Sequence, residues 1–105
     1  MTQPTHYVIF GTDAAGRSAV RAGARDAHRA YIREPNDDGV VVVFGGPTAG
    51  GDGAMNGSLL VVQAPSIDAA RRFVAADPYS AADLFAHVDI REWRPGLVRA
   101  DLLPS

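Results

Sequence analysis

Four short runs of strand-forming residues and two stretches of helical period follow one another as β-α-β-β-α-β, which predicts an α+β fold. The arrangement is the ferredoxin-like split unit, in which right-handed crossovers lay both helices on one face of a four-stranded antiparallel sheet. A further observation extends this. Val40–Phe44 and Leu59–Val62 are apolar on both faces of their strands, yet two helices cover only one. The other face is expected to meet a second copy of the chain through a two-fold sheet-to-sheet contact, giving a dimeric α+β barrel. A C-terminal tail folded back over the sheet is the alternative.

Tyr7-Val-Ile-Phe10 reads as the first strand. Thr12 and Asp13 offer caps, and a helical pattern runs from about Ala14 to Glu34. Twenty residues of helix would extend about 30 Å, against about 17–27 Å for strands of 5–8 residues. A break is therefore expected at Gly23, with a short helix over Ala15–Ala22 and the main first helix over about Asp26–Arg33. Glu34-Pro35 marks the exit, and Asn36–Gly39 turns into the second strand, Val40–Phe44. Gly45–Gly53 is read as a mobile flap or hairpin connection, since it lacks the Gly-Lys-Ser/Thr ending of a phosphate cradle. The third strand spans about Gly57–Gln63. Ser66 caps the second helix, and Pro78 stops it at Asp77. A helical turn near Ala81–Phe85 precedes the last strand, His87–Trp93, where Val88 and Ile90 alternate with His87, Asp89 and Arg91. Residues 1–95 are expected to form a single domain and 96–105 a tail.

Composition excludes several classes. The net charge of −2 leaves no electrostatic footprint for nucleic acid or an anionic membrane surface. The absence of cysteine removes disulfides, thiolate chemistry and zinc–thiolate sites. All ten basic residues are Arg, which removes Schiff-base lysines. Met-Thr-Gln-Pro-Thr-His lacks the basic and apolar regions of a leader peptide, and no apolar run approaches a membrane span, so a cytoplasmic setting is expected.

The most informative single residue is Asp77. Ile67, Ala70 and Val74 form an apolar stripe that Asp77 continues, so an acid is halted at the end of a helix on its inward face. A carboxylate there meets the negative helix pole and needs a partner; a solvated turn is the alternative. In a β-α-β-β-α-β layer the first helix starts at the end of the sheet where the second finishes, and the glycine-rich loop hangs over that same edge. His28, expected in the first turn of the main helix, then comes within reach of Asp77. The two would be a proton acceptor and its orienter, with a purely structural hydrogen bond as the other reading. No nucleophile is evident, since Ser58 enters its strand without an elbow signature. Arg17, Arg21 and Arg25, spaced by four, read as a solvated helix face from which Arg25 reaches an anionic substrate. Tyr79 walls the pocket or packs in the core. His87 and Asp89 fall on the dimer side, and neither His6, His87 nor Asp37-Asp38 has metal-ligand spacing, so no metal is expected.

Tyr7-Val-Ile-Phe10, Arg25-Asp-Ala-His28-Arg-Ala-Tyr31, Gly45-Gly-Pro47, Asn56-Gly-Ser58, Ala76-Asp77-Pro78-Tyr79 and Glu92-Trp93-Arg94 together resemble the YCII family of small bacterial, YciI-like proteins. The likeness runs from about Tyr7 to Pro95, and its specificity lies in the ordered set. It implies ferredoxin-like protomers in a dimeric barrel and a catalytic His–Asp pair that maps onto His28 and Asp77. Asp26 departs from the family, which commonly carries Pro at the first helical position. Some relatives are lyases acting on hydroxylated, halogenated aromatics, and the wider barrel superfamily includes isomerases and monooxygenases. The expectation is a small cofactor-independent lyase or isomerase, with Arg25, Ser58, Tyr79, Gly46 and Pro47 around a small, partly apolar substrate. A non-catalytic ligand-binding or dimerisation module is the alternative.

Overall fold

Strands β1 (Thr5–Asp13), β2 (Val41–Ala49), β3 (Met55–Ala64) and β4 (Phe85–Trp93) form one antiparallel sheet in the order β2-β3-β1-β4. The computed structural model describes residues 4–104; Met1–Gln3, on which part of the leader expectation rests, and Ser105 lie outside them. Helix α1 (Ser18–Arg33) follows β1, while α2 (Ile67–Ala75) and the short α3 (Pro78–Ala81) join β3 to β4. This is the expected ferredoxin-like order with one extra helical turn. No helix among the described residues is long and apolar enough to cross a membrane.

Alternation sorts the side chains onto two faces. Tyr7, Ile9, Leu60, Val62 and Ala64 pack with Ala69, Ala70, Phe73 and Val74 of α2, and the register sets Ile9 opposite both Leu60 and Ile90. The opposite face carries Val8, Phe10, Phe44, Val61 and Trp93, and the Phe44 and Trp93 rings meet edge to face at 6.2 Å. Phe10, Val41 and Phe44 are 37–39% exposed on this side. The tail, which includes a 3₁₀ turn at Ala100–Leu102, leaves Leu97, Val98, Leu102 and Leu103 exposed in the single chain.

The structure corrects several boundaries. Gly45–Ala49 is strand, so the glycine-rich stretch is half β2 and only its remainder is hairpin connection. Its glycines serve close packing: a Cβ on Gly45 would fall 2.6 Å from the Leu59 carbonyl oxygen, and one on Gly57 would fall 2.5 Å from that of Gly11. The connection closes through Gly50 N–H to Ala54 O at 2.9 Å, with Gly53 at φ +82°. Strands of 9–10 residues are about 30 Å long. They accommodate a 16-residue helix of about 24 Å, so α1 runs through Gly23 without the expected break. Asp26 and His28 consequently lie inside α1, not in a first turn. The turn placed near Ala81–Phe85 occurs earlier, at Pro78–Ala81, and Phe85 opens β4. Helix α2 is as expected, with Ser66 Oγ accepting from Ala69 N–H at 3.1 Å.

Two glycines give opposite expectations. Gly57→Ala forces a methyl against backbone and should cost about 1–3 kcal/mol. Gly23→Ala, on a helix surface with nothing within 4 Å, should gain about 0.5–1 kcal/mol. Urea unfolding of both variants checks the pair.

Candidate functional site

Helix α1 and the edge strand β2 stand apart on the helical side of the sheet, leaving an open cleft of about 980 Å³. The chemistry of that cleft starts behind it. Pro78 ends α2 and opens α3, and Asp77 becomes the N-cap of α3, its carboxylate accepting from Tyr79 N–H at 2.9 Å. The acid thus sits at the favourable pole of a new helical turn, which corrects the expectation that it merely opposes the end of α2. It is 1% exposed.

From α1, His28 places Nδ1 2.8 and 2.9 Å from the two Asp77 oxygens. A carboxylate only accepts, so Nδ1 carries a hydrogen, and in the neutral ring the lone pair falls on Nε2. Among the described residues no buried side-chain nitrogen or oxygen lacks a partner. His28 is a lining residue of the cleft and its Nε2 makes no hydrogen bond there, so this nitrogen opens into the cleft.

The Tyr79 ring stacks on His28, centroid to centroid 4.0 Å at 15°. The Arg21 guanidinium carbon lies 4.7 Å from the same centroid, on the other face, since His28 occupies the first. Positions seven apart on a helix are separated by about 10.5 Å, which admits one ring between them. Arg21 is held in turn by Asp13, with Nε and Nη2 donating at 2.7 and 2.8 Å, and it donates to Ser58 Oγ at 2.9 Å. The hydrogen bonds that Asp13 accepts hold the guanidinium above even its ordinary pKa, against the opposing effect of burial.

Arg21 is therefore not part of a solvated face: it is 4% exposed, and the reading of the arginine series fails at this position. Sequence reasoning also missed Asp13, taken for a cap. It is the last residue of β1, and an acid ending a strand eight residues before an Arg was the available signal. The other expected residues fall together. Arg25, Gly46, Pro47, Ser58, Tyr79 and His28 line the one cleft, with Asp77 directly behind His28. His87 and Asp89 are elsewhere, 3.7 Å apart and exposed on β4. Among the described residues no group of three or more His, Asp or Glu is placed to hold a metal ion.

The YCII-related domain matches residues 5–94. Protein YciI of Escherichia coli O6:H1 is 30% identical over 93 residues, covering 84% of this chain and 95% of its own. Among solved structures, the 5-chloro-2-hydroxyhydroquinone dehydrochlorinase TftG from Burkholderia phenoliruptrix AC1100, in complex with 2,5-dihydroxybenzoquinone, superposes with a TM-score of 0.77. It is 33% identical, over 87% of this chain and 95% of that one. PA3566 from Pseudomonas aeruginosa, at 13% identity and a TM-score of 0.55 over 90% and 96% of the two chains, shares the fold.

Tyr31 offers a test of the packing around Asp77. Its hydroxyl donates to Phe73 O at 2.7 Å, and burial, then the Asp77 charge, push its pKa above the ordinary value. A raised folded pKa contributes stability that is complete below the unfolded pKa near 10 and is lost as pH rises through the folded one. Tyr31→Phe should cost about 1 kcal/mol at neutral pH. The gap to the unsubstituted protein should narrow above about pH 10, as read by denaturant unfolding across pH.

Proposed function

The chain belongs to the YCII-related family, and from that premise we propose that it is a small acid–base enzyme, a lyase, in which His28 is the proton acceptor and Asp77 its orienter. One observation carries this: the lone-pair nitrogen of His28 opens into a cleft while the other nitrogen is tied to a buried carboxylate. The substrate class follows from the dehydrochlorinase similar to this chain, which binds 2,5-dihydroxybenzoquinone. A small hydroxylated ring bearing a leaving group fits the apolar floor at Ile32, Val42 and Leu60.

The chemistry balances without an oxidant. Nε2 of His28 takes a hydroxyl proton and returns it to the ring carbon that bears the leaving group, giving a ketone with a tetrahedral C–X carbon. Loss of a second hydroxyl proton to Nε2 then forms the second carbonyl, and the displaced ring electrons expel the leaving group with the electron pair of its bond. The net change is loss of HX. Asp77 stabilises the imidazolium and keeps the ring oriented, a role that helps because its oxygens are already fixed by Tyr79 N–H. Tyr79 supports the imidazole face and Ser58, pinned by Arg21, is positioned to bond a substrate oxygen. Asp77 also caps α3, and that observation favours a second reading in which the pair is structural only.

The assembly proposed is a homodimer through the open sheet face, supported by the exposed apolar side chains of Phe10, Val41 and Phe44.

His28→Ala should lower turnover of a chlorinated hydroxyhydroquinone by about 10²–10⁴-fold in a protein that still folds, with its melting temperature lowered because Asp77 loses a donor. Asp77→Asn should lose about 1–3 kcal/mol of stability because a buried acceptor set is broken. Turnover unchanged in His28→Ala leaves the structural reading standing. Sedimentation velocity should show a dimer that Phe10→Glu converts to monomer.

A further inference from the structure

The wall that α1 gives to the cleft is basic from end to end. Arg21, Arg25, Arg29 and Arg33 line the cleft at four-residue spacing, and no Asp or Glu is among its lining residues. Asp13 neutralises Arg21. The other three make no ion pair among the described residues. Asp26, next to Arg25 and three positions before Arg29, bonds to neither, and the chain's other ion pairs lie elsewhere. Arg33 folds back to donate from Nη1 to Arg29 O at 3.1 Å, which sets its guanidinium along the helix beside Arg29 and leaves its other N–H donors free.

Like charges at i, i+4 repel one another. Beyond Arg21, the row forms no ion pair with any acid among the described residues, in a chain whose net charge is −2. The position of the row is specific. Arg29 follows His28 in the chain, and Arg33 lies about 7.5 Å farther along the axis than His28, above the apolar floor of Ile32 and Val42. An anion held there would lie one small ring away from Nε2.

Resting on the acid–base reading of His28, we infer that the substrate is an aromatic acid. Its hydroxylated ring lies over the apolar floor beside His28, and a carboxylate substituent is held by Arg29 and Arg33. The planar guanidinium fork matches a carboxylate with two parallel hydrogen bonds, whereas a neutral phenol offers it a single oxygen. The arginines select the substrate and the imidazole acts on it, so the two roles are separable.

Calorimetric titration tests this with a matched pair, hydroquinone and 2,5-dihydroxybenzoate, under nitrogen. The expected result is binding of the carboxylated compound about ten-fold or more tighter than hydroquinone. That preference should shrink from 0.05 to about 0.5 M salt. It should vanish in Arg29→Gln/Arg33→Gln, return in part in Arg29→Lys/Arg33→Lys, and persist in His28→Ala. Equal affinity for the two compounds, or a preference that survives Arg29→Gln/Arg33→Gln, overturns the assignment. Since binding is read without turnover, loss of the preference and an inactive imidazole are distinguished: the first removes the anion subsite, the second only the lyase reading.

Discussion

A carboxylate with almost no access to water must find its hydrogen-bond donors inside the protein, and this requirement organises the molecule around Asp77. Its partners come from two directions. Tyr79 N–H belongs to the turn that Asp77 itself starts, and His28 Nδ1–H comes from α1, forty-nine positions earlier in the chain. The acid thereby fastens the α2–α3 junction to the long helix. Removing either donor leaves a buried negative charge short of a hydrogen bond, which is costlier than the loss of a surface contact. The orientation of the imidazole is a by-product of this arrangement.

The second buried charge pair plays a complementary part. Asp13 and Arg21 satisfy each other with two parallel hydrogen bonds, so the guanidinium is held rigidly enough to act as a wall. Against that wall rests Tyr79, and against Tyr79 rests His28. The imidazole of His28 is therefore positioned by two kinds of contact, one electrostatic through Asp77 and one by stacking on Tyr79. Both start from the ends of secondary elements: Asp13 closes β1 and Asp77 caps α3.

Much of this was legible in the residues. The order of elements, the Ser66 cap, the stop at Pro78 and the union of His28 with Asp77 follow from local chemistry that the tertiary structure did not override. The route to His28 was nevertheless partly mistaken. It assumed a helix starting near Asp26, whereas α1 starts at Ser18 and crosses Gly23 intact. The underlying error was strand length. Gly45, Gly46 and Pro47 carry loop chemistry in sequence, yet backbone crowding against Leu59 selects glycine within β2, and the longer sheet then admits the longer helix. Arg21 was hidden for another reason. Spacing by four places all four arginines on one helical ridge, and only the three-dimensional position of Asp13 separates the buried one from its neighbours.

The edge strand β2 has two allegiances. Val42 points into the cleft, while Phe44, beyond the irregularity that interrupts the pairing of these residues with β3, lies on the opposite side of the sheet. One ribbon thus forms a wall of the cleft and a border of the apolar surface. Whatever settles on that surface bears on the same backbone that bounds the cavity, and thermodynamic reciprocity makes the influence mutual. A molecule that draws β2 toward α1 would alter the affinity of the sheet for its covering, by the same factor that the covering alters affinity for the molecule.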